Sequence, residues 1–111
     1  MVNSLIVIGS DSLGASDRDL GRLLMGNFLR NLADRSDLPD YIVLWNEGAL
    51  LAKIDSPVLD HLKKLEENGV KVVVCRTCVD YFDIEGKMGA GEIEGIAGII
   101  ELLSKHTVLT V

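Results

Sequence analysis

Leu5-Ile6-Val7-Ile8-Gly9-Ser10-Asp11-Ser12 is an apolar, mostly β-branched run that stops abruptly in a turn-rich loop. With no polar residue alternating through it, the run has the pattern of a parallel strand covered on both faces. The pattern returns at Tyr41-Ile42-Val43-Leu44-Trp45, which ends at Asn46-Glu47-Gly48, and again at Val70 to Cys75. Helical patterns lie between these strands. Ser16 opens the first, with Asp19 as its capping-box partner. Leu20, Leu23, Leu24, Phe28, Leu29 and Leu32 recur at helical spacing as its apolar face, and it ends near Arg35, before Leu38-Pro39. Ser56-Pro57 starts the second, with Val58, Leu59, Leu62 and Leu65 inward and Asn68-Gly69 as its stop.

A short helix is predicted from Cys78 to about Asp83, a short fourth strand within Gly89 to Ile93, and a last strand over Thr107 to Val111. Before that strand, Ile96 to Lys105 reads as a helix with Ile96, Ile99, Ile100 and Leu103 facing inward. Strands alternating with helices imply right-handed crossovers and a parallel sheet with helices on both faces. The expected fold is therefore a three-layer α/β/α domain.

The 111 residues, 48% hydrophobic and 25% charged with two prolines, match one domain spanning 1–111. Eleven Lys plus Arg against 17 Asp plus Glu leave a net charge of −6. That balance argues against nucleic acid or an anionic membrane as partner, because both require a basic face. A mean hydropathy of +0.27 leaves apolar surface for subunit contacts, so a homo-oligomer is expected. No apolar run approaches the roughly 20 residues of a membrane-spanning helix, and the N-terminus lacks the basic and apolar regions of a secretory signal. Two cysteines inside one four-residue segment do not make a secreted disulfide framework, so the expected compartment is the cytoplasm.

Ligands of such sheets gather outside the carboxyl ends of the strands. Three loops qualify: Ser10 to Ser16, Asn46 to Leu50, and Cys75 to Asp80. Ser10, Asp11, Asn46, Gly48 and Thr77 are thus candidate substrate-binding residues. The unusual chemistry lies in Cys75-Arg76-Thr77-Cys78. If Thr77 caps the following helix with Asp80 as partner, Cys78 falls in its first turn, where amides and the helix dipole lower a thiol pKa. Arg76 adds to this if its side chain turns inward. Cys78 is then the expected reactive sulfur. Cys75, on the last residue of a buried strand, is less accessible, and its alternative reading is a small buried hydrophobe.

Other chemistries fit less well. The Ser10-Asp11-Ser12-Leu13-Gly14 loop lacks the spaced glycines of a dinucleotide site and the Gly-Lys-Ser/Thr of a P-loop. Asp17 and Asp19 would repel an anion there, so turn formation and capping are the expected roles. Glu47 reads as a solvated loop carboxylate. A phospho-receiver would carry an aspartate where Cys75 stands. Zinc needs four ligands; beyond the cysteine pair only His61 and His106 are offered, both expected to be solvated. No metal or cofactor is expected.

Taken in order, Ser10-Asp11-Ser12-Leu13-Gly14, Leu20-Gly21-Arg22-Leu23-Leu24-Met25, Leu38-Pro39, Asn46-x-Gly48 and Cys75-x-Thr77-Cys78-x-Asp80-Tyr81 resemble the DsrE-like domain over about residues 3 to 111. The branch it resembles most is the C-terminal half of the YedF-type proteins of sulfur and selenium metabolism. Two features depart from that branch: Arg76 stands where glycine is usual, and the chain begins directly with the first strand instead of a small sulfur-carrier domain. The resemblance implies a five-stranded parallel sheet of order 4-3-2-1-5 and homo-oligomers such as trimers or hexamers. It also implies a sulfur-carrying cysteine, which maps onto Cys78. Three functions follow as expectations. The first is a sulfurtransferase-like relay, with Cys78 carrying persulfide sulfur between a donor and an acceptor protein or small thiol. The second is a dithiol redox protein using Cys75 and Cys78. The third is a non-catalytic oligomeric module that binds a small ligand.

Overall fold

In the computed structural model, which describes residues 1–111, the apolar runs form the centre of the sheet. β1 (Leu5–Ile8), β2 (Tyr41–Leu44) and β3 (Lys71–Cys75) lie side by side, with Ile6 beside Ile42 and Ile42 beside Val72. β4 (Glu92–Glu94) pairs with β3 and β5 (Val108–Thr110) with β1. All four pairings are parallel, and the five strands stand in the order β4-β3-β2-β1-β5. The expected architecture and strand order are both present.

Successive strand residues face opposite sides, and each side has its own core. Ile6, Ile8, Ile42, Leu44, Val72 and Val74 pack against α1 (Arg18–Ala33) and α2 (Leu59–Glu67) through Met25, Leu29, Leu62 and Leu65. Leu5, Val7, Val43, Val73 and Cys75 face the other way, onto Ile99 of α4 (Ile96–Lys105). The remaining helix, α3 (Arg76–Phe82), follows β3 without a gap.

Several local expectations need correction. α1 is capped by Asp17, not Ser16: the Asp17 carboxylate accepts the Leu20 N–H at 3.0 Å. Its buried face is Gly21, Met25, Leu29, Leu32 and Ala33, whereas Leu20, Leu23 and Leu24 are 53%, 69% and 44% exposed. Gly21 explains the rotation. A Cβ there would collide with Ser12 Oγ and the Leu13 carbonyl, so glycine alone lets the helix press against the loop after β1. On α4, Ile99 is buried, but Ile96 and Ile100 are 43% and 59% exposed. No second helix contributes a buried residue to that side, so the flanks of α4 stay open.

β4 begins at Glu92, after Gly91 with φ +85, because that conformation cannot continue a strand through Gly89 to Ile93. The segment after β2 is a 3₁₀ helix, Asn46–Ala52, that buries Ala49, Leu51 and Ala52 instead of running as an open loop. His106 is not solvated: Nδ1 shares a 2.8 Å hydrogen bond with Ser4 Oγ, and its ring meets Tyr41 edge-on. No helix is long and apolar enough to cross a membrane.

Candidate functional site

Because β3 ends at Cys75 and α3 begins at Arg76, Cys75 itself occupies the capping position, with extended φ −64 and ψ 125. Thr77 is already helical, makes no capping hydrogen bond and cannot serve as the expected cap. Cys78 is the third helical residue. A capping residue and the third helical residue face each other, which is the spacing that capping boxes exploit. Here that spacing brings the two cysteines to one helix start, and both line the same cavity. Cys75 is 1% exposed, and Cys78 is half-buried against the same apolar side of the sheet.

Asn46 completes the polar environment of Cys78. Its backbone has φ +51, a left-handed conformation that asparagine tolerates better than most residues. That turn aims the Asn46 N–H at Cys78 Sγ, 3.1 Å away. Around the sulfur lies a cavity of about 460 Å³ lined by Trp45, Asn46, Cys75, Thr77, Cys78, Tyr81, Phe82 and Ile96. Every lining side chain is uncharged. Tyr81 stands at the rim, 83% exposed, with its ring edge-on to Phe82.

The electrostatics overturn the expected low thiol pKa. Burial pushes the Cys78 thiol up, the Asn46 N–H pulls it down, and the neighbouring Cys75 thiol raises it further. Arg76 does not turn inward. Its guanidinium pairs with Asp80 at 3.1 Å and Glu85 at 2.8 Å on the outer surface. Those carboxylates hold its proton still more firmly and leave little field for the cysteines.

Cys75, Cys78, Thr77 and Asn46 are therefore brought together, while Ser10, Asp11 and Gly48 line no part of this cavity. Ser10 Oγ accepts the Ser12 N–H at 3.1 Å and shapes the turn after β1. Asp11 is paired with Arg18 at 2.8 Å and Arg22 at 3.6 Å. Gly48 sits so close to the Ile8 carbonyl that a Cβ would strike it, and its N–H donates to the Trp45 carbonyl at 3.0 Å. Glu47 is exposed and pairs with Arg18 at 3.4 Å. Sequence reasoning missed Trp45, Tyr81, Phe82 and Ile96 as lining residues. Helical spacing from Cys78 would have found Tyr81 and Phe82, three and four residues on. Ile96 enters only through the packing of α4.

Residues 25–111 match the sequence profile of the DsrE/DsrF-like family, a span that includes both cysteines and β2 to β5. The chain belongs to the DsrE/DsrF-like family. No curated protein matches it in sequence. Solved structures share the fold of this DsrE/DsrF-like chain at low identity. The ychN protein of E. coli is 17% identical, with a TM-score of 0.72 over 98% of this chain and 99% of its own. A protein of unknown function from Methanobacterium thermoautotrophicum is 17% identical, with a TM-score of 0.68 over 96% of each chain. Another from Bacteroides thetaiotaomicron is 16% identical, with a TM-score of 0.66 over 96% of this chain and 93% of its own.

Proposed function

We propose that this protein is a sulfur relay in which Cys78 takes up sulfane sulfur as a persulfide and hands it to an acceptor thiol. The observation that carries this reading is the placement of Cys78 Sγ on the cavity wall, with the Asn46 N–H directed at it from 3.1 Å. Loading exchanges one persulfide for another. The Cys78 thiolate attacks the terminal sulfur of a donor persulfide, and the donor leaves as its thiolate. A persulfide is more acidic than a thiol, so the loaded group is anionic. A fixed N–H donor beside it offsets part of the penalty for placing that charge against apolar walls. Membership in a family associated with sulfur transfer supports the same reading.

The uncharged lining and the net charge of −6 favour a neutral or protein-bound sulfur donor over a small dianion. A homo-oligomer belongs to the proposal. Leu20, Leu23 and Leu24 form an exposed apolar row on α1, beside an open groove of about 810 Å³ that reaches Leu13, Phe28 and Leu109. A second copy of the chain covering that row accounts for apolar surface that one copy leaves in water. Both thiols are free, a state that persists in a reducing compartment such as the cytoplasm.

The test is to treat the protein with polysulfide, remove the excess and locate bound sulfur by mass spectrometry. One added sulfur on the Cys78 peptide at the earliest times after loading, absent from Cys78→Ser, is the expected result. Sulfur that fails to load, or that loads equally in Cys78→Ser, overturns the relay.

A further inference from the structure

A relay needs one cysteine, and this site has two, three residues apart at one helix start. We infer that Cys75 is a resolving thiol, which attacks loaded Cys78 to expel the carried sulfur as hydrosulfide and close a Cys75–Cys78 disulfide. The inference rests on sulfur loading at Cys78.

Geometry selects the step. Cys75 caps α3, and Cys78 is its third residue, so their side chains meet across the first turn. Side chains three apart on a helix lie roughly 5–6 Å apart at Cβ, so closing a disulfide draws the two Cβ atoms together by about 1–2 Å, to roughly 3.5–4.5 Å. Cys75 is 1% exposed and belongs to the apolar cluster that includes Val43, Val73 and Ile99. A partner protein cannot reach it there, which leaves Cys78 as the sulfur within its range. Both cysteines line the cavity, so a group displaced from Cys78 has a way out.

The sulfur that Cys75 meets is Cys78 Sγ, the inner sulfur of the persulfide, while the added sulfur extends into the cavity. Attack on the inner sulfur forms the Cys75–Cys78 bond and breaks the bond to the terminal sulfur. The Cys75 thiol proton passes to that terminal sulfur, which departs as HS⁻. The terminal sulfur is reduced by two electrons, and the two cysteine sulfurs together supply them. An external dithiol then reduces the disulfide by exchange and restores both thiols. The site thereby converts sulfane sulfur to sulfide when no acceptor thiol has taken it. The burial that raises the Cys78 thiol is compatible with this, because Cys78 acts here as the centre attacked and not as the nucleophile.

Trypsin cleavage after Lys71, Arg76 and Lys87 places the cysteines on separate peptides, 72–76 and 77–87, which only a disulfide joins. The experiment loads the full chain with polysulfide, desalts it without reductant, and follows free sulfide and the joined peptides together. The expected result is one sulfide per loaded chain, released in step with the joined peptide pair. Cys75→Ser and Cys75→Ala, checked for fold by circular dichroism, still take up sulfur. Normalised to sulfur loaded, they release it as sulfide about tenfold or more slowly, since no internal thiol completes the exchange. If wild type holds its sulfur, or loses it while the peptides stay separate, the resolving role is wrong and the relay stands. If wild type takes up no sulfur, both fall. The joined peptides are read in the wild-type protein, so the resolving role is tested even if the variants misfold.

Discussion

Cys78 shows how a position at a helix start can be read correctly and its consequence inverted. The third residue of a seven-residue helix gains little from the dipole, while apolar walls oppose the thiolate. Alkylation of Cys78 should therefore keep accelerating with pH beyond the range where a free cysteine levels off. Iodoacetamide rates across alkaline pH check this, and a plateau near neutrality would refute it. The sign for stability is the same. The unfolded thiol ionises first, so the Cys78 contribution fades as pH rises from the free-thiol range through the raised value. Cys75 should label last, being sealed by the core. Gly48 tests a different kind of residue. Gly48→Ala sets a methyl against the Ile8 carbonyl, where neither backbone can yield, and should destabilise the chain by about 1–3 kcal/mol in urea unfolding.

At the scale of elements, two starts are open to direct comparison. Asp17→Ala removes the carboxylate that accepts the Leu20 N–H and should cost about 1 kcal/mol of stability. Ser16→Ala should change the unfolding midpoint far less, because Ser16 makes no capping bond. Equal losses would return the cap to Ser16. The junction of β2 with its 3₁₀ helix depends on a left-handed backbone at Asn46. Asn46→Val places a β-branched residue there and should lose roughly 1–2 kcal/mol, whereas Asn46→Gly should stay close to wild type in stability. Chemical denaturation of the two variants side by side measures the strain. The same strain sets the direction of the N–H that meets Cys78.

For the whole molecule, charge and exposed apolar area set the expectations. An acidic chain with an uncharged cavity should load more slowly from the thiosulfate dianion than from a persulfide donor of lower charge. Added salt should narrow that gap by screening the repulsion. Loading rates for both donors at low and high ionic strength decide the matter, and a preference for thiosulfate would contradict it. The row of Leu20, Leu23 and Leu24 should place the protein in a species larger than a monomer, with at least about 1,000 Å² buried per contact. Sedimentation velocity should show Leu23→Glu shifting toward monomer while its circular dichroism is retained.

The centre of the sheet was legible in the sequence because its three inner strands are buried on both faces. Leu5–Ile8, Tyr41–Leu44 and residues 72–75 of β3 therefore carry continuous apolar runs. Their spacing by helical segments left the parallel crossover arrangement, and the cysteine segment at the end of β3 marked the site. Tertiary structure alone decided which faces of the helices turn inward. In α1 a glycine made the close contact and so carried no hydropathy signal, and in α4 no neighbouring helix covered the flanking isoleucines. The site divided in the same way. Cys75, Thr77 and Cys78 are local to one turn and could be found by their spacing. The N–H of Asn46, the walls from Trp45 and Ile96, and the direction of the Cys78 pKa shift come from segments joined only by folding. A thiol's acidity depends on the solvent and donors around it, and those are fixed by the packing of distant residues and not by its neighbours in the chain.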